Sequence, residues 1–142
     1  MNEEIIKRYS QTNNFGRLLG MDYKLDESGD IHYHVTINKD HLATPTAAHG
    51  GLLAAMMDGV VGVAALERAS KTGRVVSTVE MKLNFLQPAL LNDQLVGVGK
   101  VLKEGKRIIV VEGKIYNQQN DLLAASIATM NAYPFEKSDM FK

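Results

Sequence analysis

The chain has 142 residues, in which 16 Lys and Arg balance 16 Asp and Glu, and it contains no cysteine. This length suits one domain, and the balanced charge gives no basic field that would attract nucleic acid. Without cysteine there are no disulfides, no thiolate metal ligands and no cysteine nucleophile. The first residues, MNEEIIKRYS, lack the apolar segment of a secretory signal. We therefore predict one domain over residues 1–142, located in the cytoplasm, with no nucleic-acid partner.

The first part of the chain predicts a short helical region and a β-hairpin. Residues 2–19 alternate polar and apolar positions loosely and are interrupted by the polar run QTNN. Over residues 21–36, two runs with apolar residues at alternate positions flank a turn-forming cluster at residues 26–30. His32 and His34 point to the same face of the second strand. Because a zinc site needs three or four ligands, we predict no metal there.

The apolar segment from His49 to Ser70 is too long for one strand and predicts a helix that is buried on nearly every side. Its nearly uncharged part, residues 50–66, is shorter than the roughly 20 residues of a membrane span, and Asp58 interrupts it. We therefore predict a core helix and no membrane-spanning segment.

Four β-type runs follow, separated by turn signals: Val75–Leu86, Gln94–Lys103, Arg107–Tyr116 and Leu122–Tyr133. The short connections predict an antiparallel meander of all four strands. A hairpin, one long helix and then four strands indicate an α+β fold in which a curved antiparallel sheet wraps around the helix. The final residues, 136–142, are predicted to be a loosely held tail.

Asp58 stands out because a buried carboxylate costs several kcal/mol unless it is paired, hydrogen-bonded or protonated. One explanation is structural: Asp58 meets a donor in the core or lies on an accessible edge of the helix. The other is functional and starts from His49, Gly50 and Gly51 at the predicted helix start. Unpaired N–H groups there, with the positive end of the helix dipole, are suited to polarising a carbonyl while a carboxylate activates water. The second explanation predicts acyl hydrolysis.

The stretch HGGLLAAMMDG, followed by TVEMKLNFLQP at residues 78–88, resembles the PaaI-type hotdog-fold acyl-CoA thioesterases. The resemblance covers roughly residues 40–133. It implies a hotdog fold and hydrolysis of an acyl-CoA thioester, with a small or medium acyl or an aryl group, to the free acid and coenzyme A. No cofactor is expected.

The resemblance also implies roles for four catalytic-site residues. Asp58 is the general base or nucleophile, and the Gly50 N–H stabilises the developing oxyanion. Thr78 helps to hold the attacking water, and His49 orients the loop. In this family the active site forms between two subunits, so a homodimer, commonly paired into a homotetramer, is implied.

Six further residues are candidates for substrate binding. They are Gly51 beside the helix start, Met57 and Phe85 as walls of an acyl pocket, and Lys103, Lys106 and Arg107 around a turn that suits the phosphates of coenzyme A. Ordinary core packing is the alternative for Met57 and Phe85. A solvated hairpin tip is the alternative for the three basic residues. Small residues at Ala55, Gly59 and Gly62 fit close helix approach in an assembly or packing under the sheet.

The chain departs from the family pattern before the helix. Many relatives have an Asn six residues before the His and a Gly three before it, where this chain has Ala43 and Thr46. Losing one oxyanion-hole contributor can cost about 10²–10³ in turnover. Either the hydroxyl of Thr44 or Thr46 substitutes, or the enzyme is slow. The competing hypothesis is therefore a catalytically weak acyl-CoA-binding or regulatory hotdog protein.

Overall fold

The structure is a computed structural model that describes residues 3–28 and 30–142, the side chain of Phe141 excepted. Within those residues, α-helices span Glu3–Thr12 (α1), Asn14–Leu18 (α2) and Gly50–Ser70 (α3). The strands are Asp22–Leu25 (β1), Ile31–Thr36 (β2), Arg74–Phe85 (β3), Gln94–Glu104 (β4), Ile108–Tyr116 (β5) and Leu122–Pro134 (β6). Short 3₁₀ turns lie at Lys39–His41, Phe135–Lys137 and Asp139–Phe141.

The strands form one antiparallel sheet in the order β1-β2-β4-β5-β6-β3. The predicted hairpin, long helix and four later strands are all present, although residues 2 and 29 of the predicted helical region and turn lie outside the described residues. The predicted four-strand meander is wrong for β3. That strand pairs with β6, while β4 pairs with β2, because the connection over residues 86–93 crosses the end of the sheet instead of making a tight turn.

The sheet curves around α3, which contacts every strand from β2 to β6. Glycines on the inner face of the sheet allow this close approach. A Cβ placed on Gly99 would lie 2.5 Å from the Ala64 Cβ and 2.9 Å from the Val60 carbonyl oxygen, and one on Gly113 would lie 2.6 Å from the Met57 sulfur. The core therefore forms directly between the glycine-bearing strands and the apolar side of α3.

By length and composition, α3 is able to cross a membrane, since it has 21 residues and a mean hydropathy of 1.5 over its most apolar window. In this fold 56% of that window is buried, and the helix packs against the curved sheet. Core helices of soluble proteins pass the same test.

The first helix and the carboxyl-terminal tail both pack beside the carboxyl-terminal half of α3. Ile5 and Ile6 of α1 form a buried cluster with Leu66 and Val75, and Met140 packs against it. Ser138 is also buried. The prediction of a loosely held tail is therefore wrong, because apolar contacts with α1 and α3 hold it in place.

Two glycine substitutions test this packing. Gly99→Ala should lower the free energy of unfolding by about 1–3 kcal/mol, because its new methyl group collides with α3. Gly62→Ala should leave it unchanged or raise it by up to about 1 kcal/mol, since a Cβ at Gly62 meets nothing within 4 Å and alanine favours helix. Urea unfolding measures both. A Gly99→Ala protein as stable as wild type would contradict the packing described.

Candidate active site

One face of α3 is left uncovered by the sheet. It carries Ala55, Asp58, Gly59 and Gly62, which line a cavity of about 260 Å³ and have the spacing of one helical face. The other walls come from the start of β3, from the amino-terminal helices and from the tail: Tyr9, Asn13, Phe15, Gly16, Met21, Tyr33, Leu66, Val75, Val76, Ser77, Thr78 and Met140. The prediction that the helix is buried on nearly every side is therefore wrong on this face.

Asp58 is exposed in the chain, so it does not carry the cost of a buried carboxylate. The Thr78 hydroxyl donates a hydrogen bond of 2.7 Å to Asp58 Oδ1. Thr78 points towards α3 next to a β-bulge, where the register of β3 against β6 shifts between Thr78 and Glu80. The structure thus brings together two of the predicted catalytic residues and fixes the direction of the carboxylate.

His49 caps the start of α3. Its ring nitrogen Nδ1 accepts a hydrogen bond of 2.7 Å from the Gly51 N–H. The backbone N–H of His49 donates to the His41 carbonyl at 2.8 Å. His41 is buried and joins two loops through its ring nitrogens. His49 therefore caps the helix start, and the loop-orienting role that the resemblance implies for it stays a prediction.

The Gly50 N–H takes part in none of these contacts. Across residues 3–28 and 30–142 it has no hydrogen-bond acceptor, which leaves it available to a ligand. The Phe85 ring would lie 3.6 Å from a Cβ on Gly50, and Phe85 is 55% exposed. The predicted oxyanion donor and one predicted substrate contact are thus neighbours.

The loop before the helix uses one of the two threonines named above. Thr44 Oγ1 accepts hydrogen bonds from the N–H groups of Ala47, at 2.9 Å, and Thr46, at 3.4 Å. The N–H of Ala43 donates to the Ala47 carbonyl. Thr44 therefore has a structural role in this turn.

Gly50 and Asp58 of one chain do not form one site. They are eight residues apart on a continuous helix, which corresponds to about 12 Å along its axis. A single carbonyl group cannot contact both. A site that uses both groups needs the N–H donor or the carboxylate from a second chain.

Comparison with known proteins identifies the family of this chain. Residues 46–124 match the model of the Thioesterase superfamily. The chain belongs to that family. Human acyl-coenzyme A thioesterase 13 is 27% identical over 123 residues, which cover 86% of each chain. The predicted family is thereby confirmed.

Solved structures confirm the hotdog fold of this thioesterase-superfamily chain. The E. coli PaaI protein from the phenylacetic acid degradation operon superposes with a TM-score of 0.80 at 21% identity, covering 93% of this chain and 95% of that one. A Bacillus halodurans protein solved with CoA gives a TM-score of 0.78 at 20% identity, covering 92% of each chain.

Some predicted substrate contacts of this thioesterase-superfamily chain lie elsewhere. Met57 is fully buried and faces Gly113 on β5, so its assignment to the substrate pocket is wrong and core packing is the explanation. Lys103, Lys106 and Arg107 are exposed near the β4–β5 turn.

This turn lies at the carboxyl-terminal end of α3, since Glu104 pairs with Arg68 at 3.5 Å. Arg74 supports the turn by hydrogen bonds to the carbonyls of Gly105 and Lys106. The basic residues of the turn therefore do not line the Asp58 cavity, and their contact with coenzyme A phosphates stays a prediction.

The remaining two histidines, His32 and His34, are neighbours on β2. The rings of His32 and His34 are 6.4 Å apart, and His32 Nε2 lies 3.3 Å from Asp26 Oδ2. No group of three or more metal-ligating side chains occurs in the part of the chain that the structure describes.

Sequence reasoning missed a polar cluster in the cavity. Asn13 Nδ2 lies 3.1 Å from the Tyr9 hydroxyl and 3.3 Å from the Tyr33 hydroxyl. Burial raises the pKa of both phenols, and the Asp58 charge contributes to the rise. The three side chains come from α1, the α1–α2 junction and β2, so no local pattern joins them. The spacing of Ala55, Gly59 and Gly62 around Asp58 was the one available signal for this face.

Proposed function

We propose that this protein hydrolyses an acyl-CoA thioester to the free acid and coenzyme A. The observation that carries this proposal is the Asp58 carboxylate, oriented by Thr78 in a largely apolar cavity of a thioesterase-superfamily chain. The name of the human relative and the CoA-bound B. halodurans structure support acyl-CoA as the substrate class. A cavity of about 260 Å³ suits an acyl group and is too small for whole coenzyme A.

In the proposed mechanism, the Gly50 N–H donates a hydrogen bond to the thioester oxygen as negative charge develops on it. Asp58 takes a proton from water, whose oxygen forms the new bond to the carbonyl carbon. The tetrahedral intermediate then breaks its carbon–sulfur bond, and the leaving thiolate takes up the proton that Asp58 took from water, which regenerates the carboxylate. Direct attack by Asp58 is the alternative route. Labelled solvent oxygen found in Asp58 after a single turnover would reveal it.

The distance between Gly50 and Asp58 favours a site built by two subunits. β3 supports this, because it is an edge strand whose free edge is able to pair with another strand. Val79 and Phe85 on this strand are 61% and 55% exposed. Antiparallel pairing of two β3 strands would bring the Phe85–Gly50 end of one subunit to the Thr78–Asp58 end of the other. We therefore propose a homodimer with Gly50 and Asp58 of each site on different subunits.

The alternative of a catalytically weak acyl-CoA binder is not favoured, because the chain belongs to a family of thioesterases and carries an oriented Asp58. Ala43 and Thr46 set the expectation of a modest rate, not of inactivity. Pairing of dimers into a homotetramer and a cytoplasmic location stay predictions.

Asp58→Asn tests the carboxylate. It should lower the turnover number by about 10²–10⁴, since asparagine cannot accept the proton of water. Thiol release from short, medium, long and aryl acyl-CoA thioesters measures the effect and identifies the preferred acyl group. Circular dichroism and acyl-CoA binding show whether the variant keeps its fold. A folded Asp58→Asn protein with wild-type turnover would exclude this role.

A comparison of the Gly50→Pro and Gly50→Ala variants tests whether the Gly50 N–H is the oxyanion donor. Proline at the first helical position removes the N–H without disturbing the helix, and the extended ψ of 138° at His49 accommodates it. Alanine adds a Cβ but keeps the N–H. Turnover of the proline variant should be about 10²–10³ lower than that of the alanine variant. Equal turnover of the two would show that Gly50 does not supply the oxyanion donor.

A further inference from the structure

The cavity beside Asp58 is largely apolar, and besides Ser77 and Thr78 of β3 it carries a polar cluster formed by Tyr9, Asn13 and Tyr33. Tyr33 is only 3% exposed, and its ring packs across Gly59. Its hydroxyl would lie 3.0 Å from a Cβ on Gly59, the residue after Asp58. The phenol group of Tyr33 therefore lies on the same cavity as Asp58.

Counting hydrogens shows that the cluster has a spare donor. Asn13 Nδ2 donates to both phenol oxygens, and Asn13 Oδ1 accepts from the Gly16 N–H at 3.1 Å. The structure gives neither phenol O–H an acceptor among the other described residues, since Asn13 Nδ2 only donates to these oxygens. A bond between the two phenols would use one of their two hydrogens, so at least one phenol O–H has no acceptor in the described part of the chain. A buried hydroxyl donor that faces a cavity binds a ligand acceptor or water.

The surroundings restrict the acceptor. The negative charge of Asp58, on the same cavity, disfavours a second anion such as a terminal carboxylate. An ammonium group has no lone pair and cannot accept the free phenol hydrogen. An uncharged oxygen fits both conditions, and the apolar walls provided by Phe15, Met21 and Val76 fit the carbon chain that carries it.

We propose that the Tyr9–Asn13–Tyr33 cluster determines substrate specificity by selecting acyl groups that carry an uncharged oxygen function, such as a hydroxyl or an ether. This inference rests on the proposed thioesterase function. The amino-terminal helices then supply part of the acyl recognition, through Tyr9 and Asn13, while Asp58 and Gly50 supply the chemistry.

The test compares kcat/KM for hexanoyl-CoA, 3-hydroxyhexanoyl-CoA, 6-hydroxyhexanoyl-CoA and adipoyl-CoA. Wild type should prefer at least one hydroxyacyl thioester over hexanoyl-CoA by about three- to tenfold, the range for one uncharged hydrogen bond. Adipoyl-CoA should be the poorest substrate. Because removing one phenol frees the O–H of the other, the variant is the double substitution Tyr9→Phe with Tyr33→Phe. It should bring the hydroxyacyl preference close to one.

Tyr116→Phe, on β5 away from the cavity, is the matched control and should keep the wild-type preference. Hydrolysis of all four thioesters without a hydroxyacyl preference, or a preference that survives in a folded double variant, would overturn the inference and leave the thioesterase function standing. A preference for adipoyl-CoA would overturn it as well. Absence of hydrolysis for every thioester, including those of the wider panel, would instead count against the proposed function itself.

Discussion

Contact between the inner face of the sheet and α3 determines the rest of this structure. Gly99 and Gly113 let β4 and β5 lie against the helix at distances that side chains would prevent. With its apolar side held this way, α3 exposes a single face to the space between β3 and the amino-terminal helices. That face is made of small residues around one carboxylate, and it lines a cavity of about 260 Å³.

The geometry of the helix sets the second constraint. A rise of about 1.5 Å per residue keeps Gly50 and Asp58 too far apart to act on one carbonyl. The helix start and the carboxylate are therefore two half-sites on one rigid element. β3 runs past both, with Thr78 near Asp58 and Phe85 near Gly50. In the homodimer proposed above, pairing of the free β3 edges would place Gly50 of one subunit beside Asp58 of the other, and activity would depend on assembly.

Most of the fold could be predicted from the sequence, because its signals are local. Alternating apolar residues and turn clusters gave the bounds of β3 to β6 to within one residue. The partner of β3 could not be predicted in this way, since pairing with β6 is a long-range contact. The length of α3 followed from its apolar run, but that run does not show which face the sheet leaves open. For this reason Asp58 was expected to be buried and Met57 to contact substrate.

The site, like the fold, has a part that local sequence patterns predict and a part that only long-range packing creates. Motif resemblance pointed to Asp58, Gly50, Thr78 and His49. The structure shows the hydrogen bonds from Thr78 to Asp58 and from Gly51 to His49, and the catalytic roles of the four residues stay predictions. The cluster of Tyr9, Asn13 and Tyr33 follows no motif, because three separate elements bring it together. Its discovery depended on the packing of the amino-terminal helices over the open face of α3.

The most direct test of the central claim mixes two inactive proteins, one carrying Asp58→Asn and the other Gly50→Pro, with different affinity tags. If each site takes its carboxylate and its N–H donor from different subunits, a mixed dimer has one intact site and one doubly defective site. Random mixing should then restore about a quarter of wild-type activity, and dimers purified on both tags should have about half. Doubly tagged dimers with no activity above that of the two parents would show that each chain works alone and would contradict the account.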